Sequence, residues 1–114
     1  MASTEDILIG NVREYFKNAT EASARREYNT AVTLLFKTMS ALSDLHLLKK
    51  EGRLPSSHSD RFRTLELKYK EIYLILDRNF SFYQDSYRTK STEETAEVMN
   101  EDARKLAKIV NFEL

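Results

Sequence analysis

Apolar residues recur at spacings of three and four through four separate stretches of the chain. Leu8, Val12, Tyr15, Phe16, Ala19 and Ala22 form the first stripe, and that spacing is the period of an amphipathic helix. Ser3 precedes it as a cap, and Glu5 and Asp6 suit the positive end of a helix dipole, so a helix is predicted over residues 4–22. Tyr28, Ala31, Val32, Leu35, Met39, Leu42, Leu45 and Leu48 make the longest stripe and predict a helix over 26–50. Leu34, Phe36 and Leu47 widen it past one face, as expected of a helix at the centre of a bundle or at a second interface. Gly52 follows as the residue best able to end it in a left-handed turn.

After Pro55, Ser57 with Asp60 marks another start, and Phe62, Leu65, Tyr69, Ile72, Leu76 and Phe80 predict a third helix over 58–79. Phe80, Phe82, Tyr83 and Tyr87 then crowd four rings into eight residues. Ser91 with Glu94 reads as a capping box, and Ala96, Met99, Ala103, Leu106 and Val110 predict a last helix over 91–110. Short connections make sequential helices antiparallel. The expectation is therefore an all-α chain, one domain over 1–114, built as an antiparallel up-down four-helix bundle. Tetratricopeptide-like pairs are the other helical option, but a single copy of that repeat would not stack alone.

Composition agrees with helices. The 114 residues include 2 glycines and 1 proline, too few for the many tight turns of a sandwich or barrel. No cysteine is present, which excludes disulfides and thiolate chemistry, and 2 histidines are too few for a His-rich metal site. No cofactor is expected, since no glycine-rich phosphate loop can be built from 2 glycines. No leader-like or membrane-spanning apolar run is seen, so the expected location is cytoplasmic, without a membrane partner. The net charge is zero, yet residues 37–90 carry 11 basic against 7 acidic side chains, while residues 91–114 carry 3 against 6. The middle of the chain is where an anion site is to be sought.

Two segments there carry chemistry. Arg53-Leu54-Pro55-Ser56-Ser57-His58 puts a fixed cation, hydroxyls and an imidazole at a helix start, a combination suited to a phosphate. Tyr83, Tyr87 and Arg88 offer rings that stack on a base and a guanidinium that meets phosphate. The folded chain is expected to bring Arg53 and Arg88 into one hollow. His46, among leucines, reads as a packed helix residue. Arg61, Arg63, Lys68 and Lys70 read as surface partners of Asp60, Glu66 and Glu71. Glu93-Glu94 and Glu101-Asp102 read as helix-surface acids. No catalytic residue is assigned; His58 as general base and Arg53 as stabiliser of a developing phosphorane are the candidates for a ribonuclease.

The order of these segments resembles the HEPN (higher-eukaryote and prokaryote nucleotide-binding) domains over residues 8–110. Glu27-Tyr28-Asn29-Thr30-Ala31 is similar to the start of the family's long helix. Pro55-Ser56-Ser57-His58 matches its Pro-x-x-His entry to the third helix, and Tyr83 to Arg88 its aromatic and arginine segment before the last. The resemblance implies a four-helix bundle, often a homodimer, that binds a nucleotide or RNA. It also implies action beside a small nucleotidyltransferase in toxin–antitoxin-like systems. Some members are metal-independent ribonucleases with Arg-x(4–6)-His near the final helices. Arg53 and His58 fit those letters but lie earlier, and no histidine follows Arg88. The resemblance thus implies binding at Arg53, His58, Tyr83, Tyr87 and Arg88 rather than cleavage. A plain interaction module, dimerising through Leu34, Phe36 and Leu47, is the alternative.

Overall fold

The computed structural model describes residues 2–114. Among them there are five α-helices and no strand: α1 (Thr4–Ala24), α2 (Tyr28–Glu51), α3 (His58–Lys68), α4 (Lys70–Asp85) and α5 (Glu93–Ile109). The all-α expectation holds, with five helices in place of four. Ser3 Oγ accepts from the Asp6 backbone N–H at 3.1 Å while Asp6 accepts from the Ser3 N–H at 3.3 Å, a reciprocal cap. Ser57 Oγ takes the Asp60 N–H at 3.1 Å. Gly52 ends α2 at φ 77°, in the left-handed region that other residues resist. At α5 the cap is Thr92, which accepts from the Thr95 N–H at 3.1 Å, and not Ser91. Ser91 instead donates its own N–H to Asn29 Oδ1 at 2.7 Å, which ties the α4–α5 turn to the start of α2.

The helix α2 is central: α1, α4 and α5 all pack on it. Ala22 of α1 meets Ala31 of α2 and Ala96 of α5 in a small cluster, and small side chains permit that close approach of three helices. Lys49 near the end of α2 pairs with Glu5 near the start of α1 at 3.6 Å, so these two helices run in opposite directions. Leu35, Met39, Leu42, Leu76, Met99 and Leu106 are wholly buried between α2, α4 and α5. Each such side chain contributes about 1.5–3 kcal/mol by leaving water. The extra apolar width of α2 is consumed inside the same core. Phe36 and Leu47 are each only 2% exposed, so they do not form the outward interface that their spacing suggested. The helix α2 is long and apolar enough to cross a membrane by composition, and 61% of that window is buried inside this fold.

The predicted third helix is two. Tyr69 leaves helical backbone, at φ −136° and ψ 63°, between α3 and α4. No glycine or proline causes this; tertiary packing does. Phe62 lies 5.4 Å from Phe80 and 6.3 Å from Tyr73, ring centre to ring centre. In one continuous helix Phe62 and Phe80 would stand about 27 Å apart, so the pair requires α3 to fold back on α4. Tyr69 is held at the bend by its hydroxyl, which donates to Glu51 Oε2 at 2.6 Å.

Asp102 also departs from the sequence reading, being 7% exposed rather than on the surface. Arg78 of α4 grips both of its carboxylate oxygens at 2.8–2.9 Å, and Asn79 Nδ2 donates to Oδ2 at 2.8 Å. A buried carboxylate is tolerated only with such partners.

Candidate functional site

The loop before α3 was expected to receive an anion, and it already holds one of its own. Asp60 Oδ2 accepts from Arg53 Nη1 at 2.9 Å, from the Ser56 backbone N–H at 2.9 Å and from Ser56 Oγ at 3.3 Å. The Arg53 hydrogen bond, followed by that of Ser56, pulls the Asp60 carboxyl down to about 2. Arg53, the cation singled out by the sequence, is thereby committed within its own loop. It borders a different hollow from Arg88, so the two arginines do not share a cavity.

His58 goes elsewhere. Its Nδ1 lies 2.8 Å from Arg61 Nη1. A guanidinium has no acceptor, so Arg61 is the donor and this nitrogen of His58 carries no proton. Arg61 in turn grips Asp44 of α2 through both oxygens, at 2.7 and 2.9 Å. The two partners are only 14% and 15% exposed, so Arg61 is not the surface partner of α3 acids that its sequence spacing suggested. The result is an Asp44–Arg61–His58 chain that clamps α3 to α2. These groups border an open hollow of about 230 Å³, together with Tyr15, Lys37, Ser40 and Tyr83.

Tyr83 is also a wall of a second, larger hollow of about 610 Å³, shared with Phe80, Gln84, Tyr87 and Arg88. The Tyr83 ring stacks on Phe36 with centres 4.8 Å apart and planes inclined by 14°. Its hydroxyl meets the Tyr87 hydroxyl at 2.8 Å, and the two rings stand edge to face at 5.5 Å. The Tyr87 hydroxyl and burial together raise the Tyr83 phenol above its ordinary range. One face of Tyr83 is thus covered, whereas Tyr87 is 75% exposed and presents an open ring. Arg88 makes no ion pair among the described residues. Of the five residues singled out by sequence, four border these adjoining cavities: His58, Tyr83, Tyr87 and Arg88. Arg53 does not.

His46 is packed, as its leucine neighbours imply. Its ring stands edge-on to Tyr69 at 4.8 Å, and burial, then Lys50 and Lys49, lower its pKa. Among the described residues no group of acids and histidines could hold a metal ion. Sequence reasoning missed Asp44, Arg61, Lys37 and Ser40. The signal for Asp44 was present: an acid set between leucines on the most apolar helix must find a cation. Comparison of the chain with protein-family profiles, with curated proteins and with solved structures finds no match.

Proposed function

We propose that this chain is a HEPN-type helical module that binds a nucleotide or an RNA strand across the two cavities that meet at Tyr83. The four-helix arrangement belongs to the proposal: α1, α2, α4 and α5 are the up-down bundle, and α3 is a side arm. Pairing of two copies, and action beside a small nucleotidyltransferase, follow from the same resemblance. The observation that carries the binding reading is the grouping around Tyr83. An open aromatic ring (Tyr87) and a guanidinium without an ion pair among the described residues (Arg88) border one hollow, the His58 imidazole and the Lys37 amine border the other, and Tyr83 lines both. Rings and cations side by side are what single-stranded nucleic acid binding uses, stacking for bases and charge for phosphates. In this reading Tyr87 stacks, Arg88 and Lys37 meet phosphate, and Tyr83 is the fixed wall that Phe36 holds in place.

The test is a titration of nucleoside monophosphates and a labelled single-stranded RNA at two salt concentrations. Tyr87→Ala is expected to weaken binding by about 5- to 100-fold, the range of one lost stacking contact. Arg88→Ala is expected to weaken it and to reduce the salt dependence. Arg53→Ala is expected to leave affinity unchanged, because Asp60 already occupies that guanidinium. Absence of binding to the unsubstituted chain, or equal losses for Arg53→Ala and Arg88→Ala, refutes the proposal.

A further inference from the structure

The turn between α4 and α5 carries Tyr87 and Arg88, and little packing holds it. No side chain from Gln84 to Thr95 is buried. We infer that Asn29, at the start of α2, is a positioning residue: its carboxamide pins this turn and so holds the Tyr87 ring and the Arg88 guanidinium beside Tyr83 for a ligand. The ligand part of this assignment rests on the nucleotide-binding reading above; the pinning of the turn stands without it.

The hydrogen bonds show the pin. Asn29 Oδ1 accepts from the Ser91 N–H at 2.7 Å, and Nδ2 donates to the carbonyls of Ser86 and Thr89 at 3.3 and 3.4 Å. One side chain therefore ties both ends of the segment that holds Tyr87 and Arg88. Among the described residues, every other hydrogen bond of residues 86–91 runs to the end of α4. Those short-range bonds sit at an exposed helix end, where helices fray. They shape the turn and leave its placement against α2 to Asn29. The chemistry calls for a carboxamide, because two partners are acceptors and one is a donor. Asn29 is the second residue of α2, where such a side chain commonly bonds backbone close by in sequence. Here α2 starts without a side-chain cap, and the carboxamide reaches 57 to 62 positions along the chain instead. The effect on the binding face is direct. The held carbonyls belong to Ser86, just before Tyr87, and to Thr89, just after Arg88. Tyr87 then meets Tyr83 hydroxyl to hydroxyl at 2.8 Å, a contact that reports where the turn sits. A ring and a cation fixed in advance lose less freedom when a ligand binds.

The experiment uses the unsubstituted chain, Asn29→Asp, Asn29→Ala and Tyr87→Phe, with a thermal melt for each. Asn29→Asp keeps the acceptor for the Ser91 N–H, removes both donors and sets a carboxylate against the Ser86 and Thr89 carbonyls. It also supplies an acid to the first turn of α2, which has none, and an acid there suits the helix dipole. Its melting temperature should equal or exceed that of the unsubstituted chain. Two other readouts should nonetheless move. The Tyr83 phenol is raised above its ordinary range first by the Tyr87 hydroxyl and then by burial. Followed by ring-carbon NMR, it should titrate lower in both Asn29 variants, as in Tyr87→Phe. A labelled single-stranded RNA should bind both Asn29 variants about three- to tenfold more weakly, the worth of one neutral hydrogen bond. An unchanged Tyr83 titration in both variants overturns the pin, and so does a melting temperature of Asn29→Asp that falls below that of the unsubstituted chain, which marks a purely structural role. A lowered Tyr83 titration with RNA affinity unchanged, or lost in Asn29→Asp alone through its added charge, overturns the role in binding and leaves the nucleotide reading standing. No RNA binding by the unsubstituted chain overturns the nucleotide reading and the role in binding together, and the Tyr83 titration then decides the pin by itself.

Discussion

The helix α3 is held by little apolar contact, and this makes the Asp44–Arg61 pair the most informative place to perturb the fold. Only Leu65 of α3 is fully buried. Phe62 adds ring contacts with Phe80 and Tyr73, and the polar attachments are Arg61 to Asp44, Lys68 to Glu51 at 2.7 Å, and Arg53 to Asp60. The latter two are exposed on their cationic side and contribute little in water. Arg61 and Asp44 are different, because both are about six-sevenths shielded from solvent and share two hydrogen bonds. Asp44→Ala leaves the guanidinium shielded and unpaired. Breaking a fully buried pair in this way costs about 3–5 kcal/mol, and the residual exposure here brings the expected loss to about 2–3 kcal/mol. For a chain of this size that lowers the melting temperature by roughly 10–15 °C. Urea unfolding would measure the loss, and amide hydrogen exchange would place it, with α3 losing protection before α2. Replacing both partners, Asp44→Leu with Arg61→Leu, should cost less than the sum of the two single changes by about 1–3 kcal/mol, since no charge is stranded. A melting temperature for Asp44→Ala within about 3 °C of the unsubstituted chain, or additive single and double variants, would refute the clamp.

Other outcomes follow from the same geometry. Phe36→Ala should destabilise the chain by about 3–5 kcal/mol, because Phe36 is enclosed by Phe80 and Tyr83; Leu34→Ala, half-buried, should cost visibly less in the same urea titration. Gly52→Ala should cost about 1 kcal/mol from backbone strain alone, as φ is 77° and a Cβ there meets no atom within 4 Å; Gly52→Asn should recover part of it, and equal stability of all three would rule out the strained turn. Asp60 titrates near 2 when folded and near 3.8 when free, so its contribution is full above pH 3.8 and fades as pH falls toward 2. The stability gap between the unsubstituted chain and Asp60→Asn should therefore close across that window, and a gap independent of pH would show that the Arg53–Ser56–Asp60 knot is not formed.

Periodicity tells which face of a helix is buried and is silent about what covers it. That is why the stripes, the caps at Ser3 and Ser57 and the turn at Gly52 were legible: each depends on residues within a few positions of one another. The bend at Tyr69 was not, because the stripe from Phe62 to Phe80 keeps a helical period on both sides of it. Only the approach of Phe62 to Phe80 across space demands the break. The same limit governs charge. Asp60 satisfies Arg53 seven residues away, a loop distance that helical spacing rules do not cover, so a segment that looked prepared for a foreign anion is self-satisfied. Asp44 and Asp102 each sit within an apolar stripe, and a carboxylate there must be answered by a cation from another helix. Reading them as demands would have pointed to Arg61 and Arg78, which join helices through those carboxylates. Arg88, by contrast, lies beyond the end of α4 with no acid among the described residues answering it, and that guanidinium beside an open ring is what the proposed ligand would use.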